Sequence, residues 1–267
     1  MKEKDERPGR SQTFSKRMRF NTSGRMHVAK DSKTKPGRTA AKRRAIFFEL
    51  ETVAVAGRNA LYEATKSAMK DKGVEMAPVD FSRFILDHPL AEGLARLLKN
   101  KGGKKNSAKS LATKIMADIN LWAGSGLEMH PVLAQWIGKQ EEQRLSFGAA
   151  CGWGPDLAEA LDTALSLKEK GVLVSSLPME DAGAPHAEVW LGLARQAKVP
   201  PPLCVVLATS MHAAKAAIAV GMRTVAIEDD FNAFQDFSGS DCVTETLNND
   251  TLVGALALMN QHFTRAA

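Results

Sequence analysis

Short apolar runs recur through the second half of the chain, each separated from the next by a stretch with helical spacing of apolar residues. The runs cover residues 171–176, 203–208, 222–227 and 241–244, and a similar run at 45–50 comes much earlier. Such runs are typical of strands buried on both faces of a parallel sheet. Their alternation with helices predicts an α/β fold, with a parallel Rossmann-like sheet and helices on both faces.

Residues 58–153 follow a different pattern. Their apolar positions recur with helical spacing, and no stretch alternates with the period of two that a half-buried strand shows. The last two helices predicted there cover about 110–122 and 131–145. We therefore predict an all-helical cap of residues 58–153, inserted into an α/β core formed by residues 45–57 and 154–267.

The charge is unevenly distributed. Residues 1–44 contain 15 Lys and Arg against 4 Asp and Glu, a net charge of +11, whereas residues 45–267 sum to −5. The basic segment has too few apolar residues to offset the entropy of ordering, which predicts a disordered tail. Its clusters of basic residues favour binding to nucleic acid or another polyanion, and the alternative is a solvated extension without a partner.

Three features of the sequence bear on the cellular location of the protein. No apolar run reaches the length of a membrane span, and the first residues lack the apolar centre of a secretory signal. The three cysteines, Cys151, Cys204 and Cys242, form no closely spaced pair. We therefore expect free thiols, a cytoplasmic location and no membrane partner.

Two acidic residues mark the end of the first predicted strand. Ligands of open α/β sheets bind outside the carboxyl ends of the strands, and Glu49 and Glu51 would lie there with their side chains on one face. Carboxylate oxygens are ligands that Mg²⁺ prefers. The alternative is a strand end that leaves its acidic side chains in solvent.

The order and spacing of residues 189–225, together with the apolar run that ends in Glu49 and Glu51, resemble the haloacid-dehalogenase-like (HAD-like) superfamily. The likeness is to its phosphoglucomutase-like and phosphatase branch, which carries a helical cap. The resemblance implies phosphoryl transfer, with Mg²⁺ as the cofactor. The two Asp residues that act there as nucleophile and acid/base correspond to Glu49 and Glu51.

The resemblance also assigns the other functional positions. The hydroxyl on the family's second strand, which binds phosphoryl oxygens, corresponds to Ser175 or Ser176. The family's Lys falls on Ala184, and its later metal-binding acids fall on the uncharged residues 208–210.

Loss of the Lys and of the later acids predicts a degenerate phosphohydrolase site, in a protein that is inactive or very weak and has a binding or regulatory role. The alternative is an active Mg²⁺-dependent phosphatase that acts on a phosphorylated small molecule. In that case Glu49 and Glu51 would hold the metal with help from Glu228 or Asp229. No cofactor other than Mg²⁺ is expected.

Overall fold

The computed structural model describes residues 43–103, 107–178 and 183–265. Its centre is a six-stranded parallel sheet with the strand order β3-β2-β1-β4-β5-β6. The strands are β1 (Arg44–Glu49), β2 (Leu145–Cys151), β3 (Leu173–Ser176), β4 (Cys204–Ala208), β5 (Arg223–Ile227) and β6 (Cys242–Thr244). The predicted parallel α/β architecture is confirmed.

Alternate residues of β1 enter two separate apolar cores. Ile46 and Phe48 belong to the larger core, whereas Ala45 and Phe47 belong to the smaller one on the opposite face. All four are fully buried. This is the burial expected of a central parallel strand, which is covered on both faces.

Helices cover both faces of the sheet. Those between β1 and β2 are α1 (Gly57–Lys70), α2 (Pro78–Phe84), α3 (Leu90–Asn100), α4 (Ala108–Ala123), α5 (Pro131–Gly138) and α6 (Gln140–Gln143). Those that follow are α7 (Pro155–Leu165), α8 (Ala187–Ala197), α9 (Met211–Ala219) and α10 (Asn249–Arg265). The apolar residues of α8 and α9 build the smaller core, and those of α1, α3, α4, α7 and α10 build the larger.

The prediction that residues 58–153 contain no strand is wrong. β2 lies within that range and pairs with β1 on one side and β3 on the other. The strand is covered on both faces, since Ala149 belongs to the larger core and Ala150 to the smaller. Space is tight on the side of the smaller core, where a Cβ at Gly148 would lie 2.8 Å from the Phe47 ring and 3.2 Å from Leu193. The helical insert therefore ends before Leu145.

The basic segment falls almost wholly outside the described residues, so the prediction of a disordered 1–44 tail stays a prediction. Its boundary is one residue too late, since Arg44 is already part of β1. Among the residues that the structure describes, no helix is long and apolar enough to cross a membrane.

Candidate active site

Two carboxyl groups at the end of the first strand and in the turn after it lie in the same cavity. β1 ends at Glu49, and the chain passes at once into a single π-helical turn, Leu50–Ala54, which contains Glu51. Both side chains line a cavity of about 820 Å³ between the carboxyl edge of the sheet and the helical insert. The structure thus brings the two predicted residues together, with Glu51 on a helical turn and not on an extended strand.

Most of the cavity wall is apolar. The apolar side chains come from α1, the 85–91 segment, α4 and the segment that follows β2, and they are Leu61, Ile85, Leu86, Pro89, Leu90, Ala91, Ala112, Met116, Ala117 and Trp153. Charged side chains in the wall are Glu49, Glu51, Arg58, Asp87, Lys109 and Asp156. The last two are on exposed residues, so the interior is acidic on balance.

Glu49 is held by the backbone that follows β4. Its side chain is buried, with 3% of the residue exposed. Oε2 accepts hydrogen bonds from the Thr209 and Ser210 amides and from Thr209 Oγ1, the last two at 3.1 Å. Burial raises the pKa of Glu49 to about 7, the negative charge of Asp87 adds to this, and Arg58 and the hydrogen bonds oppose it.

Glu51 is more buried still, at 1% exposed. Its Oε1 accepts a 2.8 Å hydrogen bond from the Gly152 amide, and no nitrogen or oxygen donor of the described residues reaches Oε2. Burial raises the pKa of Glu51 to about 8, and the nearby charge of Glu49 raises it further in the same direction. At neutral pH the protonated form of Glu51 therefore predominates.

Only glycine fits at the position that supports Glu51. A Cβ on Gly152 would lie 2.1 Å from the Gly183 carbonyl oxygen and 3.0 Å from Glu51 Oε1. The Gly183 amide in turn donates a 2.7 Å hydrogen bond to the Gly152 carbonyl. This close approach of two backbone segments fixes the donor that holds Glu51.

Arg58, from the first turn of α1, ties together the ends of β4 and β5. The residue is 4% exposed. Its Nη2 donates to the Thr209 carbonyl oxygen at 2.9 Å and to Thr209 Oγ1 at 2.8 Å, and its Nη1 forms an ion pair with Asp229. Asp229 also accepts hydrogen bonds through Oδ1 from the Phe231 and Asn232 amides. The predicted metal ligand Asp229 is therefore already neutralised and hydrogen-bonded.

These residues do not fit a magnesium ion. The position of the family's later metal acids is occupied here by Thr209, whose hydroxyl and carbonyl both bind the Arg58 guanidinium. Glu49 Oε2 already accepts three hydrogen bonds. Across residues 43–103, 107–178 and 183–265, no three His, Cys, Asp or Glu side chains are grouped as a metal ion would need. We therefore derive no chemistry through Mg²⁺.

The predicted phosphate-binding hydroxyls lie elsewhere. Ser175 and Ser176 are on β3 and pair with Ala150 and Cys151 of β2, so a whole strand separates them from β1. Neither lines the cavity. The sequence-based assignment of the phosphate-binding hydroxyl to Ser175 or Ser176 took β3 as the second strand of the sheet, because β2 was not predicted. The true second strand ends in Cys151, whose thiol is buried and has its pKa raised well above the ordinary value by burial.

Three residues of the site were not predicted. Arg58 and Thr209 are 151 positions apart in sequence, so no local pattern indicates their contact. Asp87 Oδ2 accepts a 2.7 Å hydrogen bond from Gln235 Nε2 and lies 3.4 Å from His212 Nδ1. One feature of the sequence could have indicated Arg58. A basic residue stands directly after Gly57, a few positions beyond the two acidic residues at the end of the first predicted strand.

This architecture was compared with families, curated proteins and solved structures. No family model matches the chain, and no curated protein matches it. Solved structures do match. CbbY from Rhodobacter sphaeroides, in complex with phosphate, has 17% identity and a TM-score of 0.66, over 82% of this chain and 99% of that one. A β-phosphoglucomutase from Clostridium difficile has 14% identity and a TM-score of 0.63, over 83% and 99%.

A predicted phosphoglycolate phosphatase from Haemophilus somnus has 13% identity and a TM-score of 0.64, over 79% of this chain and 98% of that one. Identities this low establish the fold alone. The chain has the fold of the HAD-like hydrolases, and the resemblance drawn from the sequence is confirmed at the level of the fold.

Proposed function

We propose that this protein is a non-catalytic member of the HAD-like fold, which binds a small molecule between sheet and cap and does not hydrolyse phosphate esters. The observation that carries the proposal is the contact of the Arg58 guanidinium with Thr209, at the position where the family has metal-binding acids. A fixed protein cation takes part of the electrostatic role that a divalent ion has in the related enzymes.

The charges of the site support the same conclusion. Phosphoryl transfer depends on positioning and on neutralising the negative charge of the transferred group. Here Glu49, Glu51 and Asp87 line the cavity, and the buried cation Arg58 is paired with Asp229. The family's Lys is replaced by Ala184, which packs against the smaller apolar core. A phosphate dianion would meet these carboxyl groups, while the buried cation of the cavity wall, Arg58, is already held by Asp229.

The geometry of the carboxyl groups also differs from what catalysis requires. Glu is one methylene longer than Asp, and a displacement of about 1 Å can cost on the order of 10²-fold in rate. One carboxyl oxygen of Glu49 accepts hydrogen bonds from Thr209 and Ser210. These bonds fix the carboxyl group and reduce its freedom to attack phosphorus. The alternative of a functional phosphatase has one observation in its favour, namely a buried arginine in the cavity wall that could contact a phosphoryl group.

Hydrolysis of p-nitrophenyl phosphate by the full chain tests the proposal. The rate is measured with Mg²⁺ and with a chelator, and the matched control is Glu49→Gln, which keeps the size of the side chain and removes its charge. We expect all four rates to equal the buffer background. Turnover that requires Mg²⁺ and is lost in Glu49→Gln would refute the proposal and establish the phosphatase alternative.

A further inference from the structure

The segment that follows β5 is anchored in the core of the protein. Residues 229–235 are here called the strap. In its middle Asn232 is fully buried, and its Nδ2 donates hydrogen bonds to the carbonyl oxygens of Thr209 and Ile227, at 2.6 and 2.9 Å. Just beyond the strap, Phe237 packs in the smaller apolar core. The strap is therefore fixed to the sheet side of the molecule.

The strap contacts the helical insert through an aromatic cluster. The centroid of the Phe231 ring lies 5.1 Å from those of both Tyr62 on α1 and Phe81 on α2. The Tyr62 and Phe81 centroids are themselves 5.4 Å apart, and all three residues are buried in the larger core. Aromatic pairs at such distances stabilise a contact beyond the apolar area that they bury. Movement of the insert away from the sheet would expose these rings to water.

A second contact is polar and involves the loop between α2 and α3. Gln235 Nε2 donates a 2.7 Å hydrogen bond to Asp87 Oδ2, and Gln235 Oε1 accepts one of the same length from the Met211 amide. One side-chain amide thus bridges the insert and the core. The Asp87 side chain is 6% exposed, and its backbone is in the left-handed region, with φ of 62°. A residue other than glycine keeps this conformation when its surroundings hold it there.

The third contact comes from the first residue of the strap. Asp229 forms an ion pair with Arg58, whose side chain is 5% exposed, in the first turn of α1. The strap therefore touches α1, α2 and the loop before α3. Separation of the insert from the sheet as a rigid body would break all three contacts together.

We propose that the strap fastens the helical insert over the cavity, so that the insert stays closed in the ligand-free protein. The cavity can still be reached, because four exposed residues of its wall lie on α4 and in the first turn of α7. They are Lys109, Thr113, Ala117 and Asp156. The inference goes beyond the proposed non-catalytic function and does not depend on it, since it concerns the motion of the insert.

Electron–electron double resonance between two spin labels detects an open insert directly. The labels are attached to Lys99→Cys on α3 and Gln196→Cys on α8, both exposed positions, in the full chain without a ligand. The exposed native thiol is removed by Cys242→Ser, whereas Cys151 and Cys204 are buried and should take up no label. We expect a single narrow distribution of distances between the labels.

The double variant Phe231→Leu, Gln235→Met releases the strap. The first change removes a ring from the aromatic cluster, and the second keeps a side chain of similar length but leaves the buried Asp87 oxygen without this donor. We expect a second, longer distance in this variant. The matched control is Phe234→Leu in the same segment, where the residue is 81% exposed. It should keep the single narrow distribution.

The proposal is overturned if the labelled chain with an intact strap already shows two distances. It is also overturned if the double variant gives the same single distribution as Phe234→Leu. Gln235→Met alone, which loses less packing, takes the place of the double variant if the latter has no cooperative unfolding transition in urea. The readout is independent of phosphatase turnover, so failure of this proposal leaves the non-catalytic function standing, and the reverse also holds.

Discussion

The Arg58 guanidinium donates hydrogen bonds from one nitrogen to both the carbonyl oxygen and the hydroxyl of Thr209, at 2.9 and 2.8 Å. The first residue is on the helix that follows β1, and the second directly follows β4. Their contact joins the helical insert to the carboxyl edge of the sheet. It also puts a fixed positive charge beside Glu49, where its effect is to lower the pKa that burial raises.

Removal of the Arg58 side chain should destabilise the protein more than removal of a surface arginine. Arg58→Met removes the ion-pair partner of the Asp229 carboxylate and one of the two donors to the Thr209 carbonyl oxygen, which keeps its hydrogen bond from Asn232 Nδ2. A broken buried ion pair costs about 3–5 kcal/mol, and because the Asp229 side chain is 40% exposed we expect about 2–4 kcal/mol. Urea unfolding measures the change.

The matched control is Arg96→Met, which breaks the half-exposed pair of Arg96 and Glu92. Exposed pairs contribute little, so a change within ~0.5 kcal/mol is expected there. Equal losses in the two variants would show that Arg58 does not hold the site together.

Stability should depend on pH through Glu51. Its pKa is near 4.5 in the unfolded chain and is raised to about 8 in the folded protein, so the folded state binds more protons between these values. The free energy of unfolding therefore falls as the pH rises from about 4.5 to about 8. Each pKa unit corresponds to about 1.4 kcal/mol, so the fall is on the order of a few kcal/mol.

Glu51→Gln stays neutral throughout and should show a shallower fall over this range. Comparison with the unaltered chain cancels the contributions of His88, His130 and His212, which also titrate with shifted pKa values. The charge of Glu49 acts on Glu51, so the difference in slope reports on this coupled pair. Glu92→Gln serves as the control and should keep the original profile. An unchanged slope in Glu51→Gln would contradict the assignment of a raised pKa to this carboxyl.

Shortening the two carboxyl side chains should not create a phosphatase. The double variant Glu49→Asp, Glu51→Asp restores the residue types of the related enzymes at both positions. It still lacks the Lys, because Ala184 remains, and it still has Thr209 bound to Arg58. We expect no hydrolysis of p-nitrophenyl phosphate above background, and recovery of Mg²⁺-dependent turnover in this variant would refute the account.

Binding of nucleic acid, if it occurs, should belong to the basic segment. Residues 1–44 have a net charge of +11 and the remainder −5. Contact with about six phosphates gives a slope of about −5 for duplex DNA and about −4 for a single strand in a plot of log affinity against log salt. The measurement compares the full chain with a chain that begins at Arg43, just before β1.

Three results of that comparison are informative. Loss of binding on truncation, with a steep salt dependence of the full chain, supports the electrostatic interaction. Equal binding by both chains, or insensitivity to salt, contradicts it. Absence of binding by either chain would favour the solvated extension.

Much of the fold was predictable because β3 to β6 and their helices have strong local patterns. β2 was not, since Gly148, Ala149 and Ala150 have low strand propensity. The close approach of the Phe47 ring to Gly148, which leaves little room for a side chain there, cannot be read from the local sequence. That single omission moved the predicted phosphate site to Ser175 and Ser176. The formation of β2 therefore depends on its pairing with β1 and is not indicated by its own residues.

The site was predictable only in part. Glu49 and Glu51 follow a buried strand, so their place at the edge of the sheet follows from the chain itself. The contacts of Arg58 with Thr209 and Asp229 span 151 and 171 positions and depend on the whole topology. The contact of the Arg58 guanidinium with Thr209, on which the proposed loss of the metal rests, is therefore visible only in three dimensions.

Paramagnetic resonance of Mn²⁺, which stands in for Mg²⁺, tests most directly whether the site has lost its metal. Mn²⁺ is titrated with the full chain and with Glu49→Gln, and the signal of the free ion is measured. We expect the same signal loss with both proteins, because Glu49 is bound to the Thr209 and Ser210 backbone and Arg58 supplies the local positive charge. One equivalent of bound Mn²⁺ that disappears in Glu49→Gln would contradict it.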